Sequence, residues 1–350
     1  MHKIHGTYCA TLTPLNTDYS INKELFLKHC NSLLSEGLDG LAIFGTTGEG
    51  NSFNVNEKIG AVNYLIDNNI GADKLIPGTG QCSIRDTVMY SKEVAKLKVK
   101  AILVLPAFYY KNVSNEGVIE FYKRVIEEVG DSDLKYILYN IPHVSGVSIG
   151  FEVIEQLIKL FPNNVVGMKE SSGDLDNMLK ITKFFNEFSL FSGSDSLALK
   201  VCKRGGAGAI TATSNISGKL LSFIVNNHKE ELSIDNFQEL QLLQVKIRET
   251  LITHEPISAL KALMSVIQDN QEWNRVNPPL QRIENPQNHK TIIEYSEDTE
   301  KNYIHYRQTI RFIKKSLNSL ALILQKLEEK EDVQSLADYF PYRDDKSNFS

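Results

Sequence analysis

Cysteine is scarce in this chain of 350 residues, and its distribution excludes several kinds of site. The 4 cysteines are Cys9, Cys30, Cys82 and Cys202. They form no Cys-x-x-Cys pair and have no histidine at the spacing of a metal site. We therefore predict that they are small apolar core residues, and we expect neither a bound metal nor a cofactor.

Long apolar runs and blocks of like charge are also missing. No apolar segment reaches the roughly 18 residues that a membrane-spanning helix needs. The formal net charge is -5, without a basic block, so we expect neither a nucleic-acid partner nor a membrane partner. The first six residues lead directly into a strand-like run without an apolar signal core. We therefore expect a soluble, cytoplasmic protein that acts on a small molecule.

The sequence does contain a regular alternation of short β-rich runs and amphipathic helical stretches. The eight predicted strands are residues 6–13, 40–44, 74–77, 101–105, 135–139, 165–169, 189–192 and 208–211. Predicted helices between them include residues 22–36, 56–68, 83–98, 115–129 and 151–160. Such alternation indicates parallel strands with right-handed crossovers, and eight units in about 215 residues favour a closed (β/α)₈ TIM barrel. An open dinucleotide-binding sheet is the alternative, but Gly78-Thr79-Gly80 is only a fragment of its glycine motif.

The strand pattern stops after residue 216, which divides the chain into three predicted parts. Residues 1–216 are the barrel with the active site, and 217–280 are a helical C-terminal domain with helices at 220–227, 234–250 and 256–268. The pair Pro278-Pro279 marks the start of a linker and helical extension at 281–350. In this extension, apolar residues recur three and four apart from Tyr303 to Leu327. This heptad stripe must be buried, against the barrel or a partner chain.

The strand ends carry residues that could perform chemistry, because a parallel barrel places its reacting groups there. The second strand is followed by the turn 45–50 (GTTGEG), whose hydroxyls and N–H groups could bind an anion or simply cap a helix. Strand five ends in Tyr139 and strand six in Lys169, and neighbouring strands lie about 5 Å apart. Burial disfavours an ammonium, and a neutral lysine amine condenses with ketones. A surface pair of Lys169 and Glu170 is the alternative, but the convergence of three features on one rim favours a Schiff-base site.

Further candidates lie at the other strand ends. An imine-forming lysine needs a proton carrier, for which Tyr139 is suited, and Tyr110 after strand four either extends this relay or packs in an aromatic cluster. After strand seven, Gly193 and Asp195 either bind substrate hydroxyls or begin the next helix. Two more residues complete the set of predicted substrate-binding positions, Ser171 behind the lysine and Ile210 on strand eight.

Six motifs follow one another in an order that a known family shares. They are Gly45-Thr46-Thr47-Gly48-Glu49, Tyr109-Tyr110, Tyr139-Asn140-Ile141-Pro142, Gly167-Met168-Lys169-Glu170, Gly193-Ser194-Asp195 and Ala212-Thr213-Ser214-Asn215. From about residue 6 to 280 the chain resembles the dihydrodipicolinate synthase / N-acetylneuraminate lyase family of Schiff-base-forming, pyruvate-dependent lyases. The resemblance implies a barrel with a small helical domain, usually assembled as a tetramer of paired dimers. It also implies Lys169 as the imine-forming lysine, Tyr139 as the proton carrier, Thr46 and Thr47 as the carboxylate turn, and Tyr110 as a tyrosine that crosses a subunit interface.

Departures from the family pattern bear on the substrate. The synthases carry an arginine for the carboxylate of aspartate semialdehyde where this chain has Val144. The segment 139–146 looks more like the neuraminate lyase and sugar-acid aldolase branches, but neuraminate lyases have an acidic residue and a serine in place of Ser196 and Ala212. We therefore expect a lyase or aldolase for a 2-keto-3-deoxy sugar acid, with 4-hydroxy-tetrahydrodipicolinate synthase as the first alternative. A non-catalytic keto-acid-binding protein and a scaffold that works through its heptad tail are further alternatives.

Overall fold

The computed structural model describes residues 3–229, 234–252 and 255–284, and its elements alternate from the start. Seven strands lie in this part of the chain: β1 Gly6–Ala10, β2 Gly40–Ala42, β3 Ile102–Val104, β4 Tyr136–Asn140, β5 Val165–Glu170, β6 Ser189–Ser192 and β7 Gly208–Thr211. The α-helices are α1 Lys23–Ser35, α2 Val55–Asp67, α3 Ile84–Lys96, α4 Asn115–Val129, α5 Pro142–Ser145, α6 Phe151–Leu160, α7 Leu175–Phe184, α8 Asp195–Cys202, α9 Ser214–Asn226, α10 Ile234–Ile252 and α11 Pro256–Ile267. Three short 3₁₀ helices lie at Gly50–Ser52, Ala72–Lys74 and Gln271–Asn274.

The strands are parallel and follow the order β2-β1-β7-β6-β5-β4-β3. Residues 75–79 fill the position between β2 and β3. There the N–H of Gly78 donates to Ile43 of the segment after β2 (2.8 Å), and the N–H of Thr79 donates to Leu103 of β3 (2.9 Å). This segment occupies the eighth position, so the predicted TIM barrel is confirmed.

The third predicted strand, at residues 74–77, is wrong as a regular strand. Its first residue belongs to the 3₁₀ helix Ala72–Lys74, and the following segment makes only isolated bridges at Leu75 and Gly78. Pro77 has no N–H group, and this interrupts the regular donation of hydrogen bonds to a neighbouring strand. The segment therefore pairs on both sides without becoming a continuous strand.

Two other element boundaries differ from the predicted ones. The first strand ends at Ala10 and not at residue 13, because the N–H of Leu12 donates to the side chain of Asn215 and not to a neighbouring strand. Helix α9 begins at Ser214, six residues before the predicted start at 220, so the predicted domain boundary at 216 falls inside this helix. The division into barrel and C-terminal domain stays a prediction. The heptad stripe from residue 303 to 327 lies outside the described residues.

Apolar side chains form two layers of core on the two faces of the barrel wall. Helix α4 illustrates the outer layer, since Ser114 caps its first turn, Gly130 ends it in a left-handed conformation, and one face is buried. On β4, Leu138 faces this outer layer, whereas Tyr139 faces the interior of the barrel. Alternation along each strand therefore decides which side chains reach the central site.

A register shift in β5 determines which way its polar end points. Tyr136 pairs with Val165, but the next residue, Ile137, pairs with Gly167, so Val166 is an extra residue in β5. Such a bulge reverses the alternation of all residues that follow it. As a result, Lys169 comes into register with the inward-facing side chain of Tyr139.

Candidate active site

Three side chains meet at the carboxyl end of the barrel strands. Lys169 on β5 is 4% exposed, and its Nζ donates a hydrogen bond to Tyr139 Oη at 3.3 Å. The same phenol oxygen lies 3.1 Å from Thr46 Oγ1, where either group can donate. The lysine nitrogen also lies 4.3 Å from the centre of the Tyr139 ring. An amine, a phenol and a hydroxyl thus form one hydrogen-bonded chain inside the barrel.

Backbone bonds hold the threonine turn that follows β2. The N–H of Glu49 donates to the carbonyl of Thr46 (3.0 Å), and the N–H of Gly50 donates to that of Gly45 (3.1 Å). Glu49 itself has a φ of 53°, in the left-handed region that residues other than glycine rarely adopt. Thr47 in this turn is 8% exposed. The loop between β2 and α2 is therefore tightly folded around the two threonines.

A buried ion pair that we did not predict from the sequence supports this turn. The carboxylate of Glu49 pairs with Lys261 Nζ of α11, and both side chains are almost completely buried. The second carboxylate oxygen accepts from the N–H of Asn277 (2.6 Å) and from its Nδ2 (3.0 Å). The sequence signal was Lys261, the charged residue in the otherwise uncharged helix PISALKALMSVI. A buried lysine in such a helix implies a partner, but the sequence does not say which acid it is.

Glu170 shows that the surface-pair alternative for Lys169 is wrong. The Glu170 side chain is fully buried, on the opposite face of β5 from the lysine. Its oxygens accept from Asn140 Nδ2 (2.7 Å), Asn177 Nδ2 (3.2 Å) and the N–H of Ser172 (2.6 Å). Because Asn140 follows Tyr139 directly, Glu170 ties the ends of β4 and β5 together behind the site.

A cavity of about 130 Å³ opens beside Tyr139 and Thr46. Its remaining described lining is mostly apolar or small: Phe44, Gly45, Asn51, Gly78, Gly80, Leu103, Leu105, Phe108, Val144 and Ser145. The phenol and the threonine hydroxyl are thus available to a small molecule in a largely apolar environment. None of the described lining residues is Lys, Arg or His, so this wall carries no cation.

Three other predicted residues lie on neighbouring strands. Ser171 and Gly193 follow β5 and β6 and are in contact, since a Cβ atom at residue 193 would collide with Ser171 Oγ. Ile210 on β7 is fully buried and belongs to the inner apolar layer that includes Tyr139. These residues stand at or near the same end of the barrel as Lys169.

Two predicted residues are not joined to this chain of hydrogen bonds. Asp195 is the first residue of α8, and its buried carboxylate lies 3.7 Å from Arg248 Nη1 on α10. Tyr110 is 74% exposed and packs edge-on against Tyr109, with ring centres 5.4 Å apart. Asp195 therefore faces another helix, and Tyr110 lies free on the rim of this chain.

A metal site and a membrane-spanning helix are both absent from the described residues. Within 3–229, 234–252 and 255–284, no three His, Cys, Asp or Glu side chains come together as a possible metal site. No helix in those ranges has both the length and the apolar character required to cross a membrane.

Comparison with known proteins places the chain in a family. Residues 3–294 match the family described as "Dihydrodipicolinate synthetase family". The 4-hydroxy-tetrahydrodipicolinate synthase of Listeria welshimeri is 39% identical over 213 residues, which cover 60% of this chain and 71% of that protein.

Two solved structures show the same architecture. Dihydrodipicolinate synthase from Agrobacterium tumefaciens superposes with a TM-score of 0.77 at 25% identity, over 85% of this chain and 99% of the other. A variant of the 2-keto-3-deoxygluconate aldolase of Sulfolobus solfataricus also gives 0.77, at 22% identity over 86% and 98%, and this likeness concerns the fold alone.

The fold and the relatives thus define a TIM-barrel lyase. The chain belongs to the dihydrodipicolinate synthetase family and is a pyruvate-dependent lyase of that family.

Proposed function

We propose that Lys169 forms a Schiff base with the keto carbon of pyruvate or of a 2-keto acid. The observation that carries this proposal is the chain from Lys169 Nζ through Tyr139 Oη to Thr46 Oγ1. No carboxylate among the described residues pairs with Lys169, so no ion pair stabilises its ammonium. A buried amine without an ion-pair partner is suited to act as a nucleophile.

The proposed chemistry follows from these positions. The amine of Lys169 adds to the ketone, and the carbinolamine then loses water to give the imine. Tyr139 supplies and recovers the protons of these two steps, because its hydroxyl is hydrogen-bonded to the amine. In cleavage, the imine accepts the electron pair of the breaking C3–C4 bond while the C4 hydroxyl loses a proton and becomes an aldehyde. Protonation of the enamine at C3 and hydrolysis then release pyruvate and free Lys169.

Thr46 and Thr47 are proposed to bind the carboxylate of the keto acid. Their turn lies between β2 and α2, and the hydroxyl of Thr46 is hydrogen-bonded to that of Tyr139. Hydroxyl and backbone N–H groups in such a turn can hold a small anion without a cation. Tyr110 is proposed to complete the proton relay of a neighbouring subunit, in a homotetramer of paired dimers, which its 74% exposure on this chain permits.

Borohydride trapping tests the imine directly. Reduction in the presence of pyruvate is expected to attach one reduced pyruvate to the peptide that contains Lys169, as located by mass spectrometry. The Lys169→Ala variant is the control and should not be labelled. Equal labelling of wild type and variant would refute the proposed role of this lysine.

The second half of the substrate is proposed to be a hydroxylated chain, as in a 2-keto-3-deoxy sugar acid. A second carboxylate would need a cation, for which the planar fork of arginine is best suited. Val144 stands where the synthases carry an arginine. It lines the cavity and carries no charge, whereas Asn51 and Ser145 offer neutral polar groups. A missing ion-pair donor in a dry site costs about 2–5 kcal/mol, so a substrate with a second carboxylate should react more slowly.

The second candidate is 4-hydroxy-tetrahydrodipicolinate synthase, which is favoured by the name of the Listeria relative. Lys111 is a cation on the same rim, although its ammonium donates to the carbonyls of Phe108 and Ser145. Arg85 lies elsewhere, in a groove beside Lys92 and Arg124 on the outer helices. If this chain acts as the synthase, Lys111 would have to leave these carbonyl groups and bind the second carboxylate of the substrate.

A side-by-side measurement of kcat/KM separates the two candidates. Sugar-acid cleavage is expected to exceed condensation of pyruvate with aspartate semialdehyde, and Lys111→Met is expected to leave sugar-acid cleavage unchanged. Rapid condensation that Lys111→Met abolishes, together with inert sugar acids, would establish the synthase instead.

A further inference from the structure

We infer that the buried ion pair of Glu49 and Lys261 positions the threonine turn for the keto-acid carboxylate. Lys261, on α11, would thus act on substrate binding through Glu49 without touching the substrate. Both residues are positioning residues in this proposal. The inference rests on the proposed function, because it assumes that Thr46 and Thr47 bind the carboxylate.

The turn needs an external support because its backbone is strained. Glu49 has φ 53° and ψ 32°, a left-handed conformation that is unfavourable for a residue with a side chain. Such a conformation persists only where the surroundings fix it. The N–H of the same residue donates to the carbonyl of Thr46, so the conformation of Glu49 and the position of Thr46 are coupled.

The ion pair provides this support from a distant part of the chain. Lys261 Nζ contacts the carboxylate of Glu49 and also donates to the carbonyl of Arg275 at 2.7 Å. Asn277 donates twice to the other carboxylate oxygen. Any displacement of the turn would leave a fully buried charge without its partner, which is strongly unfavourable. The pair therefore resists movement of the turn in a way that apolar packing would not.

The pair and its partners lie outside the cavity wall. The described lining contains none of Glu49, Lys261, Arg275 and Asn277. Loss of the pair should therefore weaken keto-acid binding and leave the imine chemistry of Lys169 intact. This separation of binding from chemistry is the signature that a purely structural role would not produce.

The experiment measures borohydride trapping of the full chain as a function of pyruvate concentration. Lys261→Met is expected to raise the half-saturating concentration by about tenfold or more, since even small misplacements of binding groups are costly. The trapping rate at saturation should change much less. Lys58→Met is the matched control, because it removes another fully buried lysine that contacts Thr79 and Tyr90 and not the turn.

A double variant separates positioning from the simple cost of a lone charge. Glu49→Gln combined with Lys261→Met removes both charges, so its melting temperature should recover relative to the single variants. Its half-saturating concentration should stay raised, because a neutral contact holds the turn less firmly. Wild-type pyruvate binding in the double variant would overturn the inference, as would an unchanged half-saturating concentration in a folded Lys261→Met protein.

Two further arms complete the test. If Lys261→Met does not fold, Asn277→Ala decides, since it removes one hydrogen bond to Glu49 and keeps the ion pair. A rise of about threefold in the half-saturating concentration would support the inference, and no rise would overturn it. If wild-type protein is not trapped at Lys169 at all, the proposed function fails and the inference falls with it. If wild type is trapped and the variants bind equally well, only the inference fails.

Discussion

Two buried lysines in this barrel have nearly the same aromatic surroundings. Lys169 Nζ lies 4.3 Å from the centre of the Tyr139 ring, and Lys58 Nζ lies 4.8 Å from that of Tyr90. Both side chains are almost fully buried, and neither has a carboxylate partner among the described residues. Burial above a tyrosine ring is therefore not by itself a mark of catalysis.

The two lysines differ in what lies beyond the ring. Tyr139 Oη bonds both Lys169 and Thr46 and borders the cavity, whereas Tyr90 Oη is buried without a hydrogen-bond partner. Lys58 instead donates to the backbone carbonyl of Thr79. A proton relay and a tyrosine that borders the cavity thus distinguish Lys169 from Lys58, which donates to a backbone carbonyl.

The largest expected effect is the loss of turnover when Lys169 is removed, and removal of Lys58 is the matched comparison. Lys169→Met should lower turnover by at least about 10⁴-fold, because the covalent intermediate can no longer form. Lys58→Met removes the same side-chain type from the other site and should leave turnover of the same order as wild type. Steady-state kinetics on a 2-keto-3-deoxy sugar acid measures both. Equal losses in the two variants would mean that the comparison does not identify the nucleophile.

The next largest effect on turnover should come from removing the phenol hydroxyl of Tyr139, with that of Tyr90 as the comparison. Tyr139→Phe should lower turnover by about 10² to 10⁴-fold, the usual contribution of a general acid–base group. Tyr90→Phe deletes a hydroxyl without a partner and should have no effect on turnover. Pyruvate trapping in Tyr139→Phe should survive better than turnover, because Lys169 remains. If the two phenylalanine variants turn over equally fast, Tyr139 is not the proton carrier.

The sequence contained enough information for the fold and for the convergence of the main site residues. Parallel strands bring their carboxyl ends to one rim, so Tyr139 and Lys169 at the ends of consecutive predicted strands had to lie near each other. The structure pairs these two residues directly. This adjacency follows from topology and needs no knowledge of side-chain packing.

The direction of the Lys169 side chain could not be predicted in the same way. If β5 continued without the bulge at Val166, strict alternation from Val165 would point the lysine outward and Glu170 inward. Gly167 is the sequence signal, since a glycine within a strand often marks a bulge or a close approach of two backbones. Here a Cβ atom at that position would collide with Ser189 of β6.

Hydrogen-bond and ion-pair partners that are distant in the chain could not be predicted from the sequence for a different reason. Glu49 and Asn277 are 228 residues apart, and no local pattern links an acid in a turn to an amide that follows the last described helix. The same holds for Asp195, which begins α8 as one of the two alternatives predicted, but whose contact with Arg248 no local pattern indicates. Tertiary packing, which decides such pairings, is not encoded in any single segment.

Burial of Lys58, the lysine that lacks a proton relay, should carry an energetic cost that depends on pH. Burial lowers the pKa of Lys58 to about 8, with nearby Asp86 opposing the shift. Between this pKa and the ordinary value near 10.5, the unfolded chain binds more protons than the folded one. The free energy of unfolding should therefore rise with pH across this window, by up to about 3 kcal/mol from this group. Urea denaturation of wild type and Lys58→Met at pH 8 and pH 10 isolates the contribution, because all other groups titrate in both proteins. The wild type should gain stability relative to the variant at the higher pH, whereas parallel behaviour of the two proteins would show that Lys58 keeps an ordinary pKa.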